Sequence, residues 1–363
     1  MAGRSVPARQ PGHRQNVTLH DRITEIIASE GPIPVSTYMA LCLHDPAAGY
    51  YATQPGLGRD FITAPELSQV FGELIGLWAV QAWHAMGRPS PFLLAEFGPG
   101  RATLMLDALR AARLDPGFMA AMQLCLVEAS PALRSLQGER LKPHNPLQVA
   151  DWRELPEGPA ICIGNEFLDC LPARQFVRIG DAWVERVVGL SGDGRLQFGL
   201  AEERRGQPLA SLPDTQDELD LQPALDEIVS FFAARTDPYR ALFLDYGPAS
   251  NPPGDTLRAF RESEQVDPLD GPGTADLTVD VDFARLARLA AARGIGVSGP
   301  QTQGAFLARL GIQQRLDALV AANPAEAEIT FRSVSRLVDP EQMGERFKAV
   351  CLSSPGLPPP AAF

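Results

Sequence analysis

The sequence lacks the long apolar runs and the residue spacings that would mark a membrane span or a metal site. None of its apolar stretches approaches the roughly 20 residues needed to cross a bilayer, and no signal-peptide core stands near Met1. The 5 cysteines have no C-x-x-C spacing, and the 5 histidines include no H-E-x-x-H pair. We therefore expect no membrane insertion, no metal, and reduced core thiols in the compartment where the protein is made.

Positive charge is also scarce. The chain has 32 Lys and Arg against 44 Asp and Glu, a net charge of −12 that argues against a nucleic-acid partner. Its 363 residues, 45% hydrophobic, can bury a large core and suit either two domains or one core with insertions.

A glycine-rich turn in the first third of the chain lacks one glycine of the dinucleotide fingerprint. Phe92 to Ala95 is a short apolar run typical of a buried parallel strand, and Glu96 and then Gly98-Pro99-Gly100 follow it. The G-x-G-x-x-G pattern would need a third glycine where Thr103 stands, which weakens an NAD interpretation. A strand-final acid before G-x-G is instead associated with S-adenosylmethionine. Its ammonium group suits Glu96, and its carboxylate suits the helix start.

Acids also end the next two predicted strands. Glu128 follows the strand Gln123 to Val127, where it could accept both hydroxyls of a ribose. Asp151 follows a short strand at Leu147 to Ala150, in a position to reach an adenine amino group, although a solvated loop acid fits equally well. Together with Glu96, these acids indicate a nucleoside-type cofactor.

Three polar residues follow the fourth predicted strand, Ala160 to Gly164. They are Asn165, Glu166 and Asp169, at the sheet edge where ligands of open α/β sheets bind. In a doubly wound methyltransferase this edge faces the methyl acceptor. The alternative is a polar turn in which these side chains satisfy backbone groups.

Ahead of the core, Thr63 and Glu66 have the T-x-x-E spacing of a helix capping box, which explains both residues structurally. Capping leaves Asp60, Tyr50 and Tyr51 unexplained, and these could cover a ligand site from above.

Changes in composition and periodicity divide the chain. We expect a disordered tail over 1–17, a helical N-terminal region over 18–90, the first part of a Rossmann-like core over 91–172, an inserted β-meander and helix subdomain over 173–237, the second part of the core over 238–353 with a long lid loop over 248–280, and a disordered tail over 354–363.

Four ordered blocks resemble the MidA-like S-adenosylmethionine-dependent methyltransferases, a family that includes the mitochondrial complex I assembly-factor arginine methyltransferases. The blocks are DFITAPELSQVFGEL at 60–74, LAEFGPGRATLMLDALR at 94–110, GNEFLDCLPARQF at 164–176 and VDPLDGPGTADLTVDVDF at 266–283. The chain departs from the family at Ala102, where a third glycine is usual, and at Arg59, where glycine usually precedes the acid.

The resemblance implies an α/β fold with a doubly wound seven-stranded class I methyltransferase sheet whose last strand is antiparallel. It implies S-adenosylmethionine as cofactor and arginine methylation of a protein substrate, a quinone-module subunit of respiratory complex I. It is compatible with a homodimer. A bacterial protein of this family would be cytoplasmic, and a eukaryotic one would lie in the mitochondrial matrix.

A matching mechanism needs carboxylates, because an arginine side chain is charged at neutral pH and is a poor nucleophile. Glu166 is the candidate that holds the guanidinium and accepts its proton, with Asp169 and Asp60 as supporting acids. The predicted cofactor contacts are Glu96, Gly98, Pro99, Gly100, Glu128, Asp151 and Asn165.

Two alternatives belong to other classes. A nucleotide-dependent oxidoreductase would use the same turn, and a non-catalytic assembly protein would use the cofactor pocket for stability alone.

Overall fold

The structure, a computed structural model, describes residues 17–53, 63–202, 217–250 and 254–363. Its helices are α1 (Leu19–Glu30), α2 (Val35–His44), α3 (Tyr50–Thr53), α4 (Ala64–Leu67), α5 (Gln69–Ala85), α6 (Thr103–Ala112), α7 (Pro116–Ala121), α8 (Pro131–Arg140), α9 (Ala224–Ala234), α10 (Phe283–Ala292), α11 (Gln303–Arg309), α12 (Ile312–Ala322), α13 (Ala327–Val338) and α14 (Met343–Arg346).

Its strands are β1 (Ile33–Pro34), β2 (Phe92–Phe97), β3 (Met122–Val127), β4 (Leu147–Val149), β5 (Ala160–Asn165), β6 (Arg174–Ile179), β7 (Ala182–Leu190), β8 (Leu196–Leu200), β9 (Glu218–Leu221), β10 (Tyr239–Tyr246), β11 (Arg258–Arg261), β12 (Glu264–Val266), β13 (Asp276–Thr278), β14 (Gly296–Thr302) and β15 (Phe347–Ser353).

A seven-stranded sheet forms the centre of the fold, in the order β14-β15-β10-β5-β2-β3-β4. β5 pairs in parallel with both β2 and β10, whereas β15 is antiparallel to β10 and β14. The predicted doubly wound class I methyltransferase sheet with an antiparallel last strand is confirmed.

Both faces of this sheet are covered by helices. α5, α6, α11 and α12 pack on one face, and α9 and α10 pack on the other. All six residues of β2 are therefore buried, in agreement with its continuous apolar run. Because β2, β3, β5 and β10 are parallel, Glu96, Glu128, Asn165 and Asp245 come to one edge of the sheet.

A second hydrophobic core forms away from the sheet. α1 and α2 pack there against a five-stranded antiparallel sheet, ordered β1-β7-β6-β9 with β8 beside β7, and against the three-stranded sheet β12-β11-β13. The prediction of a lid loop over 248–280 is therefore wrong for the central part of that segment. Ala259 of β11 and Leu277 of β13 pair directly and are both buried in this core, which gives the segment a regular structure that its polar composition hides.

The predicted subdomain over 173–237 is also too long. Its meander is present, but α9 buries Ile228 and Phe232 against the central sheet rather than against the meander. α9 is thus a covering helix of the core, because its apolar face matches the neighbouring strands.

The C-terminal residues 354–363 are ordered, and the prediction of a disordered tail is wrong there. The ring of Phe363 lies 5.2 Å from that of Phe306, and Gln301 Nε2 donates to the Ala362 carbonyl at 2.6 Å. The buried Arg240 guanidinium also donates to the Pro358 carbonyl. The tail folds back over apolar surface and supplies one hydrogen-bond acceptor to a buried cation. The predicted N-terminal tail lies, apart from Val17, outside the described residues.

The capping box predicted at Thr63 does not form. Thr63 precedes α4 but makes no side-chain cap, and Ser68 interrupts the helix and caps α5 by accepting from the Val70 N–H at 3.3 Å. Glu66 accepts instead from Thr103 Oγ1 at 2.7 Å, which joins α4 to the start of α6.

Candidate active site

A pocket of roughly 580 Å³ lies at the carboxyl edge of the central sheet, a volume typical of small-molecule sites. Nine of the ten predicted site residues line it: Glu96, Gly98, Pro99, Gly100, Glu128, Asp151, Asn165, Glu166 and Asp169. The tenth, Asp60, lies outside the described residues. Both hydrophobic cores contribute to the wall, since Tyr50 and Tyr51 approach from the second core.

The glycine turn exposes its backbone to the pocket through left-handed conformations. Gly98 has φ +64°, Gly100 has φ +50°, and Ala102 adopts φ +62° despite its side chain. A Cβ atom at Gly98 would lie 3.1 Å from the Phe167 ring. The turn therefore needs glycine for its conformation and for space, and Ala102 shows why a third glycine is usual at that position.

Glu96 is a buried acid that forms no ion pair with any residue the structure describes. Its side chain is 3% exposed, and Oε2 has no hydrogen-bond partner among the described residues. Burial, followed by the charge of Glu128, raises the pKa of Glu96 to about 8. A ligand cation such as an ammonium would remove much of this electrostatic cost.

Glu128 is held in place by groups that the sequence did not reveal. Its Oε1 accepts from the Ser130 N–H at 2.9 Å, and its Oε2 accepts from Gln137 Nε2 at 3.0 Å. Gln137 Nε2 also donates to the Gly100 carbonyl at 2.8 Å, and the residue is fully buried. Gln137 thus connects the acid at the end of β3 to the glycine turn. Its place inside the amphipathic helix α8 carries no motif that would have identified it.

Asp151 is already engaged by its own loop. The Arg153 guanidinium contacts both carboxylate oxygens, with Nε at 2.8 Å from Oδ1, and the side-chain hydrogen bond with Arg153 lowers the pKa of Asp151. Arg153 also lies over the ring of Trp152, which lines the pocket beside Asp151. This geometry fits a loop acid and leaves the pocket side of Asp151 available to an adenine.

Glu166 stands at the turn after β5 with a left-handed backbone, φ +50°. Its Oε1 accepts from Asn165 Nδ2 at 3.0 Å and from the Ala64 N–H at 3.3 Å. Burial, followed by the charge of Asp169, raises the pKa of Glu166 to about 7. Glu166 therefore titrates near neutral pH, in the range suited to a general base.

Asp169 is oriented by two hydroxyl groups. Its Oδ2 accepts from Tyr246 OH at 2.6 Å and from Thr278 Oγ1 at 2.8 Å, and these hydroxyls also contact each other. Oδ1 has no partner in the described part of the chain, and the residue is 9% exposed. Burial raises the pKa of Asp169. Tyr246 is the last residue of β10 and directly follows Asp245.

Asp245 holds the loop after Glu166 through hydrogen bonds to its backbone. Its Oδ2 accepts from the N–H groups of Phe167, Leu168 and Asp169 at 2.7–3.2 Å. Burial and the charges of Asp169 and Glu166 raise the pKa of Asp245, whereas these N–H donors favour its ionised form. The backbone after β5 is therefore fixed by an acid from the adjacent strand.

The pocket wall is rich in acceptors that lack donors. Glu96 Oε2, Asn165 Oδ1 and Asp169 Oδ1 are buried and have no partner among the residues described. A ligand that brings ammonium or other N–H groups would satisfy such a wall. S-adenosylmethionine fits, because it offers an ammonium near Glu96 and a ribose diol near Glu128.

Two further absences concern the described segments only. They contain no group of three metal-ligating side chains, and none of their helices is both long and apolar enough to cross a bilayer.

The sheet order, the glycine turn and the strand-end acids define a class I methyltransferase. Residues 74–301 match the family described as "Putative S-adenosyl-L-methionine-dependent methyltransferase". The chain belongs to this family and is an S-adenosylmethionine-dependent methyltransferase.

Similar proteins agree with this assignment. The Drosophila melanogaster protein named protein arginine methyltransferase NDUFAF7 homolog, mitochondrial, is 37% identical over 90% of this chain and 82% of its own length. The human protein arginine methyltransferase NDUFAF7, mitochondrial, is 33% identical over 90% of this chain and 81% of its own length. A crystal structure of a superfamily member from Burkholderia thailandensis, bound to S-adenosyl-homocysteine, superposes with a TM-score of 0.83. It is 27% identical and covers 99% of this chain and 97% of its own.

Proposed function

We propose that the protein transfers the methyl group of S-adenosylmethionine to an arginine side chain of a protein substrate. The observation that carries this proposal is the pair Glu166 and Asp169, two carboxyl groups that line the pocket, in which the charge of Asp169 adds to burial in raising the pKa of Glu166. No ion pair with Lys or Arg involves either one in the described segments. Such a pair favours a cationic acceptor, because an incoming guanidinium relieves the repulsion between them.

The cofactor contacts follow from the same geometry. The turn Gly98-Pro99-Gly100 and Asn165 would lie along the methionine part, with Glu96 at its ammonium. Glu128 would accept the ribose hydroxyls, and Asp151 would meet the adenine amino group. Gln137 acts as a positioning residue, because it orients Glu128 through Nε2.

Glu166 would hold the guanidinium and accept the proton that its nitrogen loses as the new carbon–nitrogen bond forms. The bound cofactor supplies an electrophilic methyl group on a positively charged sulfur. The protein contributes alignment and the exclusion of water. Asp169, oriented by Tyr246, would bind a second N–H of the same guanidinium, and Asp60 stays a predicted supporting acid.

The proposed acceptor protein rests on the family resemblance of the sequence, and the relatives support the arginine chemistry. Those with more than 30% identity include the fly and human proteins, whose names state arginine methylation and a mitochondrial location. We propose a quinone-module subunit of respiratory complex I as substrate, compatible with a homodimeric enzyme. The enzyme would be cytoplasmic in a bacterium and located in the matrix of a mitochondrion.

The test is transfer of labelled methyl from S-adenosylmethionine into proteins of a strain that lacks this gene. We expect one labelled band with the wild-type enzyme, containing methylarginine, and a loss of label of at least a hundredfold with Glu166→Gln. Glu341→Gln, on the exposed surface, is the matched control and should keep the label. Cofactor binding without any label would instead support the non-catalytic assembly role.

A further inference from the structure

One end of the pocket is formed by residues that neither the cofactor nor the Glu166 loop requires. His44 at the end of α2, Tyr50 and Tyr51 of α3, and Asp276 of β13 line this end. They come from segments that pack in the second core, more than two hundred residues apart along the chain. The second core therefore contributes its own wall to the active site.

A hydrogen bond joins two of the residues that form this end of the pocket. Tyr51 OH donates to Asp276 Oδ1 at 3.0 Å. The ring of Tyr50 meets that of Tyr51 edge-on at 5.3 Å, and the His44 ring lies 5.6 Å from Tyr51 on a tilted plane. The aromatic groups thus support Tyr51, and Tyr51 fixes the orientation of the Asp276 carboxylate.

Asp276 lies close to the carboxylates of the Glu166 loop. Both acids line the pocket, and Thr278, which lies with Asp276 in β13, donates to Asp169 at 2.8 Å. Burial raises the pKa of Tyr51, and the charges of Asp276 and Asp169 raise it further. Carboxylates that lie close together repel one another, whereas a cation bound between them is attracted to each of them. Aromatic faces next to carboxylates add a further preference for cations.

We propose that Tyr51 and Asp276 form a specificity element that selects a guanidinium side chain on the acceptor, a role that rests on the proposed arginine methylation. A guanidinium is planar, presents N–H groups on several edges and stacks on aromatic rings. It can therefore meet Asp276 on one edge while Glu166 and Asp169 hold another. A neutral urea of the same shape gains no such charge interaction, and a compact ammonium cannot span both sets of acids.

The experiment uses synthetic conjugates and does not require the acceptor protein. Each conjugate joins S-adenosyl-homocysteine, in place of the transferable methyl, to a short alkyl arm that ends in a guanidinium, an ammonium or a neutral urea group. Calorimetry measures the affinity of each conjugate for wild-type enzyme, Asp276→Asn and Tyr51→Phe. Binding of S-adenosyl-homocysteine alone to every variant confirms that the cofactor site is folded.

Wild-type enzyme should bind the guanidinium conjugate at least tenfold more tightly than the urea and ammonium conjugates. Asp276→Asn should lower the ratio of the affinity for the guanidinium conjugate to that for the urea conjugate about tenfold. This is the typical contribution of a hydrogen bond to a charged group. Tyr51→Phe should lower this ratio less, because the Asp276 carboxylate remains. Tyr38→Phe is the matched control in the second core, since its hydroxyl donates to the Pro268 carbonyl away from the pocket, and it should keep the wild-type preference.

Two failures can be told apart. A wild-type enzyme that binds all three conjugates equally overturns the proposed arginine chemistry. A wild-type preference for guanidinium that persists in both Asp276→Asn and Tyr51→Phe leaves that chemistry standing and overturns the role of the Tyr51 and Asp276 pair.

Discussion

The proposed cofactor end and the proposed acceptor end of the pocket are built in different ways. At the cofactor end the chain presents its backbone through the turn after β2, and short-range contacts hold the acids Glu128 and Asp151. At the acceptor end Asp169 is held by hydroxyls of Tyr246 and Thr278, from strands far along the chain. Glu128 and Asp151 are each hydrogen-bonded by the backbone of a residue two positions further on, whereas the groups that hold Asp169 come from strands far along the chain.

The substitution with the largest expected effect tests whether cofactor binding needs the backbone conformation of the glycine turn. In Gly98→Val, the side chain must adopt φ +64° and meet the Phe167 ring, so we expect binding of S-adenosyl-homocysteine to weaken by more than a hundredfold, about 3 kcal/mol. Calorimetry measures the affinity.

Gly180→Val is the matched control. Gly180 has φ +62°, but a Cβ there meets no atom within 4 Å. It should lose stability and keep cofactor affinity. If both variants bound the cofactor normally, close backbone approach at the turn would be unnecessary.

The second effect is a pH dependence at the acceptor end. Glu166 is ionised above its pKa of about 7 and protonated below it, and its proposed role as binder of the guanidinium and general base needs the ionised form. The value of kcat/KM should therefore be flat above pH 7 and fall about tenfold per pH unit below it. Glu166→Gln should remove this dependence from the residual activity. A wild-type profile without an inflection near neutral pH would assign the base to another residue.

The third effect concerns the support of Glu128. Gln137→Met keeps the side-chain volume but removes the donor to Glu128 and Gly100, so cofactor affinity should fall about tenfold. A cofactor analogue without ribose hydroxyls should show a much smaller loss, because Glu128 has no diol to bind. Gln148→Met, which removes a donor to the Arg134 carbonyl, serves as control. If Gln137→Met lowered the affinity for the cofactor and for the analogue without ribose hydroxyls equally, Gln137 would act on the fold and not on ribose recognition.

The smallest effect separates the two interpretations of Asp151. If it contacts the adenine, Asp151→Ala should weaken binding of S-adenosyl-homocysteine about fivefold, the value of one ordinary hydrogen bond. The same substitution should leave unchanged the affinity of an analogue that lacks the 6-amino group. An equal loss of affinity for S-adenosyl-homocysteine and for the analogue without the 6-amino group would identify Asp151 as a loop acid that works through Arg153.

The accuracy of the sequence-based predictions follows how local each interaction is. The strand at Phe92 and the acids after three parallel strands were predictable, because burial and strand ends are visible in neighbouring residues. The capping box at Thr63 was predicted wrongly, because Ser68 breaks the helix and Glu66 bonds instead to Thr103. The ordered tail ending at Phe363 was missed, since its partners, Phe306 of α11 and the buried Arg240 of β10, are distant in sequence.

The sequence by itself determined the class of fold and the cofactor end, since a strand, a glycine turn and a strand-final acid form one continuous motif with one geometry. The sequence also indicated Glu166 and Asp169, but tertiary structure alone decided which groups hold the proposed acceptor end together. Tyr51 meets Asp276 across 225 positions of the chain, and Asp169 meets Tyr246 and Thr278 across 77 and 109 positions. Pairings between distant residues leave no periodic pattern in the chain, so only the folded molecule reveals which charges stand together.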